Sequence, residues 1–88
     1  MKKHTKIYYR AMGFSECDFV PCEVCESEAK DCHHVERRGM GGDESKDIIQ
    51  NIMALCRSCH DKYGDKKQYK SFLQNIHDNR MEENNVKL

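Results

Sequence analysis

Two short segments, Cys22-Glu23-Val24-Cys25 and Cys56-Arg57-Ser58-Cys59, share the Cys-x-x-Cys spacing and are separated by thirty residues. Each spacing lets a tight turn direct two thiolates to one point, and two such turns complete a tetrahedral Zn²⁺ site. The intervening stretch is longer than in a usual zinc ribbon, so a substantial structure is inserted there. Two disulfides or a redox Cys-x-x-Cys do not explain two such pairs in so small a chain. Cys22, Cys25, Cys56 and Cys59 are therefore predicted ligands of one structural zinc ion.

The composition explains why this chain needs a metal. Its 88 residues fit one small domain over 1–88. Ile, Leu, Val and Phe make up only about 17% of the chain, a share typical of disordered proteins when the net charge is also large. Here fifteen basic and fifteen acidic side chains cancel. A chain of this length buries too little apolar surface to fold well without a disulfide or a metal.

Charge and hydropathy limit the class of protein. No apolar run approaches the roughly 20 residues of a membrane span, and no apolar segment follows the basic start, so neither membrane insertion nor secretion is expected. We therefore expect a cytoplasmic domain whose cysteines bind metal rather than form disulfides. The neutral overall charge neither predicts nor excludes binding to nucleic acid.

Hydrophobic periodicity and the positions of glycines predict the order of the secondary-structure elements. Gly13 and Gly64 are expected to end helices, and three glycines within 39–42 indicate a loop. The core is expected over 20–64, and the last residues, 82–88, are expected to fray. The predicted elements are a helix over 5–12, a strand within 29–36, a loop over 37–47, a short strand at the end of 48–55, and helices over 57–63 and 66–79.

Histidines lie close in sequence to the cysteine pairs. His33 and His34 are adjacent, and His60 directly follows Cys59. An adjacent histidine pair alone is a weak signal, since one ring can be a core residue and the other solvated. However, a zinc site would fix the chain on both sides, and this predicts that the three imidazoles converge.

Such a set suits hydrolysis of a phosphodiester bond. A histidine with a pKa near 6.5 can take a proton from water at neutral pH. A divalent ion held by imidazole and carboxylate groups can neutralise the phosphate and the departing oxygen. An asparagine such as Asn51 can orient the base or hold a loop. Arg37 and Arg38 can bind phosphate, although solvation alone also explains arginines on a glycine-rich loop.

These residues resemble the HNH endonucleases of the ββα-metal (His-Me finger) type. The resemblance covers Cys22 to Lys62 and is specific in order and spacing. It is greatest to small phage or prophage enzymes, in which an Arg-Gly-Met-Gly-Gly stretch follows the histidine pair. The resemblance implies an α+β fold: a small ββα-metal finger held by a four-cysteine structural zinc and flanked by N- and C-terminal helices.

The resemblance also implies a role for each matching residue. His34 would be the general base, while His33 and His60 would bind the catalytic divalent ion. Asn51 would hold the long loop and help to orient the base. Lys62 would contact a phosphate, although a solvated helix lysine is an equally good interpretation. Implied cofactors are structural zinc and a catalytic divalent metal, and the implied partner is DNA.

Two departures from the family pattern bear on the site. Family members with a third histidine ligand carry it at the position of Gly64 in this chain. Here Asp31, water and phosphate would instead complete the coordination shell of the catalytic ion. Such a mixed site does not select sharply among Mg²⁺, Mn²⁺, Ni²⁺ and Zn²⁺. Cys32 occupies a usually apolar position. Regular strand alternation would direct His33 and His34 oppositely, so the hypothesis requires the strand to end or bulge at His34.

The leading prediction is a metal-dependent DNA endonuclease. The alternative is a non-catalytic zinc-binding module that docks nucleic acid or protein, and a third interpretation is a redox or metal-storage protein. Only the endonuclease explains why His34, Asn51 and His60 occur together. Cutting both strands would require a homodimer or two successive events, and the resemblance to phage enzymes suggests packaging machinery as a partner.

Overall fold

The computed structural model describes residues 1–37, 42 and 44–86. Within them the fold is a small α+β structure, as predicted, with one two-stranded sheet and three α-helices. Single 3₁₀ turns cover Glu44–Lys46, Ile49–Asn51 and Lys67–Tyr69. The main elements are α1 (Lys3–Met12), β1 (Asp31–His34), β2 (Ile52–Leu55), α2 (Arg57–Tyr63) and α3 (Lys70–Glu83).

The sheet pairs β1 with β2 in antiparallel register, from Asp31 opposite Leu55 to His34 opposite Ile52. Because side chains alternate along a strand, the sheet presents two different faces. One face carries Asp31 and His33 with Met53 and Leu55, and the other carries Cys32 and His34 with Ile52 and Ala54. Adjacent histidines therefore leave β1 on opposite sides.

Each face of the sheet has its own core. The face of His33 packs against the zinc knuckles, α2 and Leu73 of α3. The face of His34 packs against α1 and the end of α3. The buried members of this second core are Tyr8, Met12, Val20, Ile52, Ala54 and Met81. Every residue of β2 is buried because that strand is covered on both sides.

The helix α1 begins at Lys3, two residues before its predicted start, and ends at Gly13. Gly13 adopts the left-handed conformation with φ 81°, and its N–H caps the carbonyl of Tyr9. Glycine reaches this conformation without a Cβ clash. The buried residues Tyr8 and Met12 are four apart, so one stripe of the helix faces the sheet.

Two further boundaries differ from those predicted. The strand expected within 29–36 pairs over Asp31–His34 only. The helix expected over 66–79 begins at Lys70, after a 3₁₀ turn, and continues to Glu83. The buried side chains of α3 are Leu73, His77 and Met81. By contrast α2 covers the predicted residues 57–63 and ends at Gly64. No helix among the described residues has the length and apolarity needed to cross a membrane.

Candidate metal centres and active site

The four predicted zinc ligands form one cluster. The Sγ atoms of Cys22, Cys25, Cys56 and Cys59 lie within 4.8 Å of one another. The Sγ atoms of Cys25 and Cys56 are 3.5 Å apart, far longer than a disulfide bond of about 2.05 Å. Tetrahedral zinc, with bonds of about 2.3 Å, would place its sulfurs about 3.8 Å apart. The cluster therefore has the donor set and spacing of a structural zinc site.

Local turns build both halves of this cluster. In the first, Glu26 has a left-handed backbone with φ 70°, and its N–H donates to the carbonyl of Cys22 at 2.9 Å. In the second, Cys56 is the N-cap of α2, and its sulfur accepts the N–H of Cys59 at 3.4 Å. Hydrogen bonds from Ser27 lower the pKa of the exposed Cys25 thiol to about 6, which favours the thiolate that binds zinc.

A second cluster joins His33, His60 and Asp65, whose ligand atoms lie within 4.8 Å of one another. The rings of His33 and His60 meet edge to face, with centroids 5.0 Å apart. Nε2 of His33 is buried and has no hydrogen-bond partner among the residues that the structure describes. Burial also lowers the pKa of His33, which favours the neutral ring that binds metals. Two imidazoles and a carboxylate with an unpartnered nitrogen fit a divalent cation.

Asp65 is the member of this cluster that the sequence interpretation missed. The family pattern points to the position of Gly64, and residue spacing alone does not single out the carboxylate one residue later. The helix α2 ends at Gly64, and Asp65 then adopts a left-handed backbone with φ 57°. A Cβ on Gly64 would lie 2.5 Å from the carbonyl oxygen of His60 and 3.0 Å from its Cδ2. Glycine thus permits the tight exit that returns Asp65 toward His60.

Asp31, predicted as an additional ligand, lies beside this cluster. Its Oδ2 is 3.9 Å from Nδ1 of His60, and Arg57 lies 3.7 Å from its Oδ1. Oδ2 is buried and accepts no hydrogen bond from any described residue. The separation from His60 is longer than a hydrogen bond, so Asp31 lies near His60 but outside the group of His33, His60 and Asp65.

His34 lies on the other face of the sheet. The strand ends at His34, but its pairing with Ile52 is regular and has no bulge. Nε2 of His34 is 2.7 Å from Oδ1 of Asp47, and its ring lies 4.6 Å from that of His4. The predicted convergence of three imidazoles therefore holds for His33 and His60 only. The two sides of β1 carry different chemistry, a metal-binding cluster on one and a carboxylate-bound histidine on the other.

The Asn51 side chain joins the two ends of the long loop. It is buried, with only 7% of its surface exposed. Its Oδ1 accepts the N–H of Glu36 at 2.7 Å, and its Nδ2 donates to the carbonyls of Glu36 and Lys46, both at 3.0 Å. All these bonds are made to backbone, so the loop is held whatever its side chains are. The residue after Lys46 is Asp47, the partner of His34.

Two of the basic residues predicted to contact nucleic acid, Arg37 and Lys62, lie at the surface. Nε of Arg37 is 3.8 Å from Oδ1 of Asp65, beside the second cluster. Nζ of Lys62 lies 5.2 Å from the centre of the Tyr63 ring on the exposed side of α2. Arg38 lies outside the described residues.

Comparison with known proteins agrees with this geometry. A family model described as HNH endonuclease matches residues 22–66, just over half of the chain. The match includes both cysteine pairs, β1, β2 and α2. Searches of curated proteins and of solved structures gave no match. The chain belongs to the HNH endonuclease family.

Proposed function

We propose that this protein is a metal-dependent endonuclease that hydrolyses phosphodiester bonds in DNA. Family membership supports a nuclease, and the cluster of His33, His60 and Asp65 supports metal dependence. The observation that carries the proposal is the buried, unpartnered Nε2 of His33 within that cluster. An unsatisfied buried polar atom costs about 1–3 kcal/mol, and a bound cation would remove that cost.

The two clusters would divide the metal chemistry. Cys22, Cys25, Cys56 and Cys59 would hold structural zinc, since four thiolates leave no open coordination position. The second cluster would hold Mg²⁺, Mn²⁺, Ni²⁺ or Zn²⁺, because its nitrogen and oxygen donors do not select sharply among them. When bound, this ion neutralises charge on the scissile phosphate and on the departing oxygen.

His34 would act as the general base. It would take one proton from a water molecule while the oxygen of that water bonds to phosphorus. The bond from phosphorus to the sugar oxygen then breaks, and this oxygen takes a proton from solvent. Among the described residues only β2 pairs with β1, so no strand occupies the other edge of β1. A phosphodiester lying across that edge would have His33 on one side and His34 on the other, and this arrangement would replace the predicted bulge as the way in which both rings reach it.

The remaining predicted residues would bind DNA or hold the long loop in place. Asn51 would keep the loop closed through its three bonds to backbone. Arg37, which lies beside Asp65, and the exposed Lys62 would contact DNA phosphates, and the sequence suggests the same role for Arg38. Residues 1–88 would form one nuclease domain, since α1 and α3 share a core with β2.

The test is relaxation of supercoiled plasmid by the zinc-loaded protein with added Mg²⁺, Mn²⁺ or Ni²⁺. We expect the wild type to cut and His34→Ala, His33→Ala and His60→Ala to lose at least about 100-fold in rate. Lys67→Ala, an exposed residue outside both clusters, is the matched control. Each variant must contain about one zinc per chain and give the wild-type circular dichroism spectrum.

The outcomes distinguish catalysis from binding. Cutting that persists in folded His34→Ala would show a contaminating nuclease or a different base. If the zinc-loaded wild type cuts no duplex, branched or single-stranded DNA with any of these ions, the endonuclease proposal fails. The protein would then be a non-catalytic zinc module, and a gel-shift assay with the same DNA would be the next measurement.

A further inference from the structure

We propose that Asp47 and His4 hold His34 in its reactive orientation, so that the N-terminal helix α1 forms part of the active site. This inference rests on the proposed function, in which His34 takes a proton from water. Neither residue was among the predicted site residues, and His4 lies outside the segment that matches the family. Both are positioning residues, since they act on the base.

Asp47 determines which nitrogen of His34 is available. Its Oδ1 lies 2.7 Å from Nε2 of His34, and its side chain is only 3% exposed. An ionised carboxylate accepts hydrogen bonds and cannot donate them, so Nε2 must carry the proton. In the neutral ring Nδ1 then keeps its lone pair. Asp47 therefore selects the tautomer in which Nδ1 of His34 receives the proton from water.

The peptide group that precedes Asp47 is held at both of its polar atoms. The N–H of Asp47 donates to the carbonyl of Glu44 at 3.0 Å. The carbonyl of the preceding Lys46 accepts from Nδ2 of Asn51 at 3.0 Å. A carboxylate held in this way can keep an imidazole in one orientation at little further entropic cost. Through its hydrogen bond to Lys46, Asn51 thus acts on the base indirectly, by holding the backbone next to Asp47.

The ring of His4 contacts the ring of the base. Its ring centroid is 4.6 Å from that of His34, with 51° between the planes. The backbone carbonyl of Cys32, two residues before His34 on the same strand, also lies near the His4 ring. Burial and the nearby charge of His34 lower the pKa of His4, so the ring is uncharged at neutral pH. It can therefore pack on His34 without adding a positive charge.

The helix α1 is itself well anchored. His4 lies one turn before Tyr8, on the stripe that faces the sheet. The Tyr8 hydroxyl donates to the carboxylate of Glu23 at 2.5 Å, and both side chains are buried. This anchor fixes the position of His4 relative to β1.

The test combines steady-state cleavage with NMR of the histidine side chains in the zinc-loaded protein. Long-range ¹H–¹⁵N spectra report which ring nitrogen carries the proton. In the wild type we expect His34 to be protonated at Nε2. Asp47→Ala should give a mixture of tautomers, and the shape-matched Asp47→Asn should lower kcat at least about tenfold with KM changed by less than about twofold.

Two variants examine His4. His4→Ala removes the ring that contacts His34, whereas His4→Phe keeps a ring that can pack on His34 but has no polar atoms. We expect the larger loss of kcat in His4→Ala, about tenfold, and a smaller one in His4→Phe. Matched controls are Glu44→Gln in the loop and Lys6→Ala on α1, both exposed, which should retain the wild-type kcat.

The results separate this inference from the proposed function. Wild-type kcat and an unchanged His34 tautomer in folded Asp47→Asn, Asp47→Ala and His4→Ala would overturn it, while cleavage by the wild type would still stand. A wild type that cuts nothing would remove the proposed function, and the tautomer of His34 would still show whether Asp47 orients the ring. If Asp47→Ala loses zinc, the orientation is judged from Asp47→Asn and the two His4 variants.

Discussion

Nδ1 of His77 lies 2.8 Å from Oε1 of Glu23, and both side chains are fully buried. Nε2 of His77 lies 2.6 Å from the carbonyl oxygen of Ile49. Both ring nitrogens therefore face acceptors, and a ring that donates from both is an imidazolium. The Tyr8 hydroxyl bonds the other oxygen of Glu23. Because Glu23 lies inside the first zinc knuckle, this buried network joins α1 and α3 to the metal site.

Removing His77 should destabilise the protein strongly. His77→Gln leaves the carboxylate of Glu23 buried without its cation, which typically costs about 3–5 kcal/mol. The free energy of unfolding of the zinc-loaded protein in urea measures this. Asn79→Ala, an exposed change on the same helix, should cost less than about 1 kcal/mol. If His77→Gln costs as little as Asn79→Ala, the pair of His77 and Glu23 makes no net contribution to the free energy of unfolding.

The destabilisation should depend on pH. Burial alone would lower the pKa of His77, but the hydrogen bond and charge of Glu23 raise it above the usual value of about 6.5. A raised folded-state pKa gives stability that is fully present below about pH 6.5 and is lost as pH rises through the folded value. The difference in unfolding free energy between wild type and His77→Gln should therefore shrink toward alkaline pH. If this difference in unfolding free energy grows with pH, it would contradict the assignment of His77 as a buried imidazolium.

Loss of the structural zinc should unfold the domain. Structural zinc contributes about 10–16 kcal/mol in zinc-finger peptides near pH 7, more than the whole stability of a small domain. Cys59→Ser should yield protein without bound zinc and without the helical circular dichroism signal. Cys17→Ser changes an exposed cysteine outside the cluster and should keep one zinc per chain. A folded, zinc-free Cys59→Ser protein would show that the apolar core suffices.

The sequence predicts the local parts of this fold well. The cysteine pairs and α2 depend on short spacings and on one glycine, and each lies where the sequence placed it. The bounds of α3 were less predictable because its buried face includes His77, a polar residue. His77 is buried because Glu23, 54 residues away, provides its partner. Periodicity of apolar residues cannot detect such a pair.

The candidate site likewise has some residues that the sequence predicts and others that it does not. The meeting of His33 and His60 follows from the zinc knuckles, which fix both chain segments. Asp65 enters the cluster through a left-handed backbone just after α2, which spacing alone does not specify. Asp47 reaches His34 because Asn51 closes a long loop. Residues brought in by loop geometry are those that the sequence did not predict.

Changing Asn51 should open the loop that places Asp47. Asn51→Asp can still accept the N–H of Glu36, but it cannot donate to the carbonyls of Glu36 and Lys46. We expect a loss of about 1–3 kcal/mol in unfolding free energy. Hydrogen exchange at the Asp47 amide should accelerate, and exchange in α3 should change little. Unchanged exchange at Asp47 would show that the loop is held without this side chain.

Asp65→Asn should weaken the second metal site while leaving the fold intact. Asparagine tolerates the left-handed backbone that Asp65 adopts at φ 57°, so the change removes a charge without adding strain. We expect Mn²⁺ affinity, measured by calorimetry on the zinc-loaded protein, to fall at least about tenfold. Asp61→Asn, an exposed aspartate on α2 outside the cluster, should bind as the wild type does. Equal affinities in the two variants would remove Asp65 from the ligand set and leave the ion to His33 and His60.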